Sequence, residues 1–220
     1  MKSANVINLN AQTEAFCSCM KDKTQSLKKL MTYYSCAIME VETKFNVLNE
    51  EFSLQHDRTP ITDVKSRLKS FESIVNKLTK KGKEVSVFNI ENFINDVAGV
   101  RVCCSFIDDV YMLVDALSLQ DDVKVIAVKD YIKNPKENGY RSLHLIISIP
   151  IFLANEKKEM RVEIQLRTIA MDFWASLEHQ LRYKKDYQFT DEMINELRIC
   201  AQTSADLDER MNKLKCVLQD

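Results

Sequence analysis

Four runs of strand-forming residues follow one another from residue 96 onward, and they constrain the fold of this chain more than any other feature of its sequence. The runs read VAGVRVCCSF, VKVIAVKD, RSLHLIISIPIF and MRVEIQLRT, and a helix is predicted near 108 to 119 between the first two. Helices and strands mixed in this way predict an α/β sheet. The loop LANEKKE between the last two runs suits a hairpin, so that pair should be antiparallel and the sheet mixed.

Helical segments are predicted on both sides of these strands. Pro60 ends a long helix of about 24 to 54, after which 64 to 69 reads as extended and 70 to 81 as a basic helix closed by Gly82. Two further helices, about 169 to 185 and 190 to 217, follow the last strand. The long helix is predicted from an apolar stripe at three- and four-residue steps, formed by Leu27, Leu30, Met31, Tyr34, Ile38, Val41, Phe45, Leu48 and Phe52.

The chain is therefore expected to comprise an N-terminal helical region (1–62), a central domain (63–185) and a C-terminal helix (186–220). The stripe of the first helix could pack on the chain's own sheet or on another subunit, and the pattern does not choose between them. Trp174, the only tryptophan, lies on the predicted helix from 169 and is expected in the core or in an interface.

Composition limits the classes of function. With 220 residues, of which 45% are apolar, the chain can bury a sizeable core. The 31 Lys and Arg residues balance 32 Asp and Glu residues, so general attraction to nucleic acid or an anionic membrane is weak and any anion site must be local. The seven cysteines form no C-x-x-C pair and read as reduced thiols, and no signal peptide or membrane-spanning stretch is visible. We expect a cytoplasmic protein.

Two carboxylates in the strand region suggest a metal site. Asp96 precedes the first predicted strand and Glu163 lies within the last one, so folding could bring them together on neighbouring strands. Mg²⁺ takes one or two protein carboxylates and completes its octahedron with water and phosphate oxygens. The alternation in MRVEIQLRT also places Glu163, Gln165 and Arg167 on one polar face. The alternative is that these groups form an ordinary solvated surface.

Cations and one aromatic ring could bind the rest of a nucleotide. Ser73 is four residues from both Lys69 and Lys77, so a helix would place the three on one face suited to a triphosphate. Tyr140 adjoins Gly139 in a polar loop, where its ring could stack on a base. A solvated basic helix, a glycine turn and a structural tyrosine are the alternatives. Phosphate-binding groups surround the tyrosine in sequence, namely Lys129, Lys136, Arg141 and His144.

Read together, four segments resemble the synthetase domain of the RelA/SpoT family. They are RLKSFESIVNK (67–77), DVAGVR (96–101), KDYIKNPKENGYRSLH (129–144) and EIQLRTIAMDFWASLEH (163–179), and their order and spacing match over about 65 to 185. Without a hydrolase domain or regulatory domains, the chain is similar to the short, single-domain branch, the small alarmone synthetases. The resemblance implies a nucleotidyltransferase-like mixed sheet with terminal helical extensions, and a pyrophosphokinase that uses ATP as donor, GDP or GTP as acceptor and Mg²⁺ as cofactor.

The resemblance also implies a role for particular residues on the donor side. Arg67 and Arg101 would sandwich the adenine of ATP. Asp96 and Glu163 would bind Mg²⁺, and Glu163 would also take the proton from the acceptor 3′-hydroxyl. The ATP phosphates would be held by Lys69, Ser73 and Lys77. Attack on the β-phosphorus of ATP needs in-line positioning and charge neutralisation more than a covalent nucleophile, so the chemistry is coherent.

On the acceptor side, the resemblance implies that Tyr140 stacks on the guanine. Asp172 stands where some relatives carry Asn, and its carboxylate could accept hydrogen bonds from the guanine N1–H and exocyclic amine. The rest of the acceptor site would be lined by Lys129, Lys136, Asn138, His144 and Gln165.

Assembly and regulation are implied as well. The family resemblance suggests a homotetramer assembled through helices. Asp63 and Lys65 stand where one branch carries a Phe-x-Thr element used in activation by the product, so we expect that activation to be absent or altered. The main alternative function is a non-catalytic guanine-nucleotide or RNA-binding regulator on the same fold. Near-neutral charge leaves room only for weak binding of single-stranded RNA. A nucleotidyltransferase that releases pyrophosphate would need a carboxylate signature near a Gly-Ser element, which is not visible.

Overall fold

The computed structural model describes the backbone of residues 2–56, 58–183 and 189–219, and the side chains of 24–55, 58–181 and 189–217. Its elements run in the order α1 (Lys2–His56), β1 (Ile61–Leu68), α2 (Phe71–Lys80), α3 (Val87–Phe93), β2 (Ala98–Cys104), α4 (Ile107–Ser118), β3 (Lys124–Asp130), β4 (Leu143–Phe152), β5 (Lys157–Thr168), α5 (Ile169–Tyr183) and α6 (Asp191–Gln219).

The five strands form one sheet in the order β1-β2-β5-β4-β3. The strands β2 and β5 are parallel, whereas β1/β2, β4/β5 and β3/β4 are antiparallel pairs. The predicted mixed sheet with helices at both termini is confirmed. The parallel pair lies at the centre, and β5 therefore has neighbours on both sides that can bring side chains to its polar face.

Three local predictions need correction. The short helix α3 was not predicted, and it begins where the Ser86 side chain accepts a hydrogen bond from the Asn89 backbone N–H. Residues 157–159 were assigned to the loop LANEKKE, but β5 already begins at Lys157 because Phe152 and Lys157 continue the ladder with β4. The first helix starts at Lys2 instead of near residue 24.

The apolar stripe of α1 packs on the chain's own sheet. The helix contacts β1, β2, β4 and β5, and its stripe residues Tyr34, Val41 and Phe45 are almost fully buried. The sheet meets them with the alternate residues of its strands, including Val162 and Ile164. Since burial of a side chain of this size contributes about 1.5–3 kcal/mol, this helix is part of the main core and not an appendage. The sequence left open whether this stripe packs on the chain's own sheet or on another subunit, and the structure shows the first arrangement.

The two C-terminal helices pack against each other beside the loop that follows β3. Trp174 of α5 is 6% exposed and donates from its indole Nε1 to the Leu197 carbonyl at 3.0 Å, so its predicted core position is confirmed. It packs with Ala175, Ala201 and Tyr140 in a small second cluster. Within the described residues, no helix combines the length and the apolar character that a membrane crossing requires.

A buried carboxylate fastens three parts of the chain together. Asp109 of α4 is 1% exposed and binds the Arg58 guanidinium through both oxygens, with the distances to Nη1 and Nη2 at 2.8 and 2.5 Å. Its Oδ2 also accepts from the Phe106 backbone N–H, and the Lys215 ammonium of α6 lies 3.6 Å from Oδ1. The Asp109 carboxylate therefore contacts the segment after α1, the start of α4 and the end of α6.

We expect Asp109→Asn to lower the free energy of unfolding by about 3 kcal/mol, because it leaves the mostly buried Arg58 guanidinium without its carboxylate partner and removes one of the two carboxylates beside Lys215. Urea denaturation followed by circular dichroism measures this change. Asp108→Asn is the matched control, since the neighbouring carboxylate pairs with the same lysine at 3.4 Å but is 51% exposed. Its cost should stay below about 1 kcal/mol. Equal losses in the two variants would contradict the assigned role.

Candidate active site

The polar face of the sheet collects side chains from its three central strands. In the parallel pair, Glu163 of β5 lies beside Gly99 of β2, and Gln165 beside Arg101. On the other side of β5, His144 of β4 lies beside Gln165. The predicted alternation of β5 is confirmed, because Val162, Ile164 and Leu166 are buried in the core while Glu163 and Gln165 are half-buried on the opposite face.

A cavity of about 170 Å³ lies over one half of this face. Arg67 enters it from β1, where Arg67 pairs with Gly99. A Cβ on Gly99 would meet Cγ and Nε of Arg67 at 3.4 Å, so the glycine lets the arginine lie closely over β2. Gly99 is thus a strand residue whose missing side chain permits this close packing. The cavity is lined by Lys65, Ser66, Arg67, Gly99, Val100, Arg101, Glu163 and Gln165.

Two lysines converge on Asp96 at the edge of this region. The ammonium groups of Lys69 and Lys77 lie 2.9 and 2.8 Å from the two carboxylate oxygens. Burial alone would raise the pKa of Asp96, but the hydrogen bonds from the lysines outweigh it and hold the pKa below its ordinary value. At neutral pH Asp96 is therefore an anion.

The prediction that Lys69 shares a helix with Ser73 and Lys77 was wrong. Lys69 lies between β1 and α2, and its backbone N–H donates to the Val97 carbonyl at 2.8 Å. The helix α2 starts only at Phe71, because the Ser70 side chain caps it by accepting from the Ser73 backbone N–H. Lys69 and Lys77 meet through Asp96 instead, while Ser73 is exposed in the first turn of α2.

An aromatic and cationic cluster occupies the other half of the polar face. The Tyr140 hydroxyl lies 2.8 Å from His144 Nε2 and accepts a hydrogen bond from Arg167 Nη2 at 2.7 Å. The Lys136 ammonium lies 4.7 Å from the centroids of both the Tyr131 and the Tyr140 rings. Burial, followed by the charges of Arg167, Lys136 and Lys129, lowers the pKa of His144 to about 4. His144 is thus neutral at physiological pH.

Gly139 positions the loop that carries this tyrosine. Its φ is +88°, a conformation that L side chains rarely adopt, so the expected turn is confirmed. The loop is also held by Asn138, whose side-chain oxygen accepts from the Tyr140 backbone N–H and whose amide donates to Glu178. Arg141 lies in the same loop but donates to the Ile132 carbonyl, which makes it a support of the loop.

One carboxylate oxygen connects the two halves of the face. Asp172 Oδ1, in the first turn of α5, accepts from Arg167 Nη1 at 3.0 Å and from Arg101 Nη1 at 3.4 Å. Arg101 lines the cavity, whereas the buried Arg167 contacts Tyr140. Asp172 therefore touches a residue from each half.

The predicted site residues fall into these groups with two outliers, and one of them is the exposed Ser73. Lys129 lies opposite His144 in the β3/β4 ladder, but its side chain is exposed at the margin of the cluster. Sequence reasoning missed the contribution of Arg167, Tyr131 and Glu178. Arg167 could have been chosen, because the alternation of β5 already placed it on the face of Glu163 and Gln165. Tyr131 and Glu178 lack such a signal, since they reach the cluster only through the packing of a loop and of α5.

Asp96 and Glu163 offer the oxygen donors that Mg²⁺ prefers, and the metal site that they would share stays a prediction. Within the described residues, no group of three His, Cys, Asp or Glu side chains could hold a metal by itself. Asp96 is bound by Lys69 and Lys77, and Glu163 contacts Gln165 Nε2 at 3.1 Å and His144 Nδ1 at 3.9 Å. Two hard oxygen donors with further positions for phosphate oxygens are the usual protein share of a Mg²⁺ site.

A mixed sheet that presents arginines, lysines, an aromatic ring and a carboxylate on one face is suited to a protein that binds nucleotides. Residues 66–188 match the region found in RelA / SpoT proteins, and the chain belongs to this family. It is 45% identical over 196 residues to GTP pyrophosphokinase YwaC of Bacillus subtilis (strain 168), covering 89% of this chain and 93% of that protein.

Two solved structures from Bacillus subtilis extend the comparison. Small alarmone synthetase 2 aligns with a TM-score of 0.78 and 46% identity, covering 86% of this chain and 97% of that one. Small alarmone synthetase 1 bound to its product pppGpp aligns with a TM-score of 0.76 and 33% identity, covering 85% and 95%. The resemblance inferred from four segments is thus confirmed over most of the chain.

Proposed function

We propose that this protein is a GTP pyrophosphokinase, which transfers pyrophosphate from ATP to the 3′-hydroxyl of GDP or GTP, releases AMP and so makes the alarmone of the stringent response. The observation that carries the proposal is the position of Glu163. It lines the cavity with Arg67 and Arg101, and it also lies 3.9 Å from His144 in the aromatic cluster. A base at this place can serve a reaction between two nucleotides that bind on either side of it.

The cavity half of the face is proposed to bind ATP. Arg67 and Arg101 are planar cations on neighbouring strands, and the adenine ring would stack between them. The triphosphate would be held by Lys69, Ser73 and Lys77. The ion pairs of the two lysines with Asp96 keep both cations close together before substrate arrives, which lowers the entropy cost of assembling the phosphate site.

The aromatic half is proposed to bind the acceptor. The guanine would stack on Tyr140, and Asp172 would accept from its N1–H and amine. The neutral His144 can donate or accept a hydrogen bond without adding charge. The remaining contacts would come from Lys129, Lys136, Asn138 and Gln165.

The reaction needs few groups from the protein. Glu163 accepts the proton of the 3′-hydroxyl as its oxygen attacks the β-phosphorus of ATP, the bond from that phosphorus to the α,β-bridging oxygen breaks, and AMP leaves. Lys69 and Lys77 neutralise charge on the transferred pyrophosphate. Asp96 and Glu163 would hold Mg²⁺, which supplies further charge neutralisation when it is bound with ATP.

Incubation of the protein with ATP, Mg²⁺ and GDP or GTP, followed by anion-exchange chromatography, tests the proposal. We expect AMP and a guanosine nucleotide that carries a 3′-diphosphate to appear in equal amounts. Binding of both nucleotides without any product would instead support a non-catalytic regulator.

We expect Tyr140→Ala to raise the KM for the acceptor by roughly 5- to 100-fold with a smaller change in kcat, because base stacking contributes about 1–3 kcal/mol. Initial rates at varied acceptor concentration measure this. Tyr140→Phe is the matched control, since it keeps the ring and removes only the hydroxyl bound by Arg167 and His144. If both variants raise KM equally, the hydroxyl and not the ring face recognises the acceptor.

The segment before Arg67 supports the expectation that product activation is absent or altered. Lys65 and Asp63 form an exposed ion pair with a distance of 2.5 Å between Nζ and Oδ2, and Lys65 also lines the cavity. We expect added pentaphosphate alarmone to change the initial rate by less than twofold. A larger increase would show that another element provides the activation.

The localisation, the oligomeric state and the binding of RNA are also part of this proposal. We propose a cytoplasmic homotetramer, and support comes from the exposed apolar side chains of Ile169, Phe173, Leu207 and Met211 along α5 and α6, which a subunit contact could cover. Light scattering of the purified protein measures the mass of the assembly. Single-stranded RNA is expected to bind only weakly.

A further inference from the structure

The contact between Arg101 and Asp172 joins the two halves of the face, and its geometry is asymmetric. Asp172 Oδ1 receives Arg167 Nη1 at 3.0 Å and Arg101 Nη1 at the longer distance of 3.4 Å. The Arg167 side chain is 6% exposed, whereas that of Arg101 is 36% exposed. Arg101 is thus the partner that can leave this carboxylate, while Arg167 is fixed by Tyr140 and Gln165.

Binding of either proposed nucleotide would change this contact. The guanine would need the Asp172 carboxylate, and the adenine would need the Arg101 guanidinium. To pair with a guanine through both oxygens, Asp172 needs Oδ1, which already accepts from two guanidinium groups. The Arg101 guanidinium lines the cavity but is held by Asp172 through Nη1, so turning it onto an adenine would break this contact. Its Nε is buried without a hydrogen-bond partner among the described residues. The Arg101–Asp172 pair therefore opposes the binding of both nucleotides.

We propose that the Arg101–Asp172 contact is a latch that links the two sites, so that each nucleotide, by opening it, strengthens the binding of the other. ATP draws Arg101 toward the adenine and frees one of the two occupied acceptor positions of Asp172 Oδ1, and the guanine draws Asp172 away from Arg101 and frees the arginine. This linkage is reciprocal by thermodynamic necessity. The inference rests on the proposed function, because it uses the assignment of the two halves to donor and acceptor.

Calorimetric titration with GDP, in the presence and absence of a non-hydrolysable ATP analogue, tests the latch. We expect the analogue to tighten GDP binding by about 5-fold or more, within the usual range of such linkages. The linkage factor is the ratio of the GDP dissociation constants without and with the analogue. In Asp172→Asn this factor should fall close to one, and the analogue alone should bind at least as tightly as in the unmodified protein. Asp115→Asn, an exposed carboxylate on α4, makes the same change of charge and should keep the full factor.

A second pair of variants tests the latch from the opposite side. Arg101→Gln opens the latch, and Arg67→Gln removes the same charge from the same cavity without opening it. In the absence of any ATP analogue, we expect Arg101→Gln to bind GDP about 3-fold more tightly than Arg67→Gln. A purely structural or purely donor-binding role for Arg101 predicts no such gain. This comparison decides the question if Asp172→Asn does not fold.

The latch is overturned if Asp172→Asn keeps the linkage factor of the unmodified protein, if the unmodified protein has a factor of one, or if the two arginine variants bind GDP equally. These outcomes leave the proposed function standing when the protein still makes the 3′-diphosphate product. Conversely, if no product forms but binding of the two nucleotides remains linked through Asp172, the proposed function fails and the latch is retained.

Discussion

The variant Glu163→Gln is expected to lose roughly 10²- to 10⁴-fold in kcat, because the amide cannot accept the proton of the 3′-hydroxyl. The substitution keeps the size of the side chain. It also allows a hydrogen bond to Gln165, whose Nε2 lies 3.1 Å from Glu163 Oε2 in the unmodified protein. The cavity with its two arginines should therefore persist. Initial rates at saturating ATP and acceptor measure the loss, and calorimetry should show that the affinity for an ATP analogue in the absence of Mg²⁺ changes little.

Glu159→Gln is the matched control for this variant. Glu159 lies on the same strand and alternates to the same face as Glu163, but it contacts Ser148 and Lys157 outside the cavity. Its kcat should stay within about twofold of that of the unmodified protein, since it touches neither proposed substrate. If Glu163→Gln kept more than a tenth of the activity, Glu163 would not be the base.

Gly139→Ala is expected to have the largest effect on stability and structure. A Cβ at this position would lie 2.4 Å from the Cβ of Ala201, which is far closer than two non-bonded carbon atoms can approach. The positive φ adds a further penalty of roughly 1–2 kcal/mol for a residue with a side chain. To relieve the overlap, the loop of Tyr140 must move away from α6. We expect the free energy of unfolding to fall by about 3 kcal/mol or more, together with a loss of acceptor binding.

Two further variants separate the overlap from the backbone effect. Gly82→Ala has a similar positive φ of +64°, but a Cβ there meets nothing within 4 Å, so it should cost only the backbone penalty. The double variant Gly139→Ala with Ala201→Gly removes the overlapping methyl group and should recover acceptor binding. Urea denaturation and calorimetry measure the two effects. If Gly139→Ala costs no more than Gly82→Ala, then the close contact with α6 does not matter.

The strand pattern made the sheet and the position of Glu163 predictable. The period of two in β5 separates Glu163 and Gln165 from Val162 and Ile164, and the long stripe of α1 demands a large apolar surface to cover it. Both features follow from the local sequence. The α2 boundary was predicted to within one residue, since 70–81 was read as the helix and Phe71–Lys80 is observed. The error was to place Lys69, which lies before this boundary, on a helix face with Ser73 and Lys77.

The contacts within the site could not be predicted from patterns in the local sequence. The pairing of Asp172 with Arg101 joins residues 71 positions apart and depends on how α5 packs beside β2. The closeness of Gly139 to Ala201 likewise depends on the packing of α6. A pattern along the chain contains no information about such distances, and only motif resemblance could place Arg101 and Asp172 in one site.

The fate of the two terminal phosphates of ATP tests the central claim most directly. In separate reactions with GDP, ATP carries a radioactive label at its β-phosphorus or at its γ-phosphorus. We predict that both labels appear in the guanosine product in equal amounts, with one AMP formed for each product molecule. Transfer of the γ label alone with formation of ADP, or the appearance of both labels in free pyrophosphate, would contradict pyrophosphate transfer by this protein.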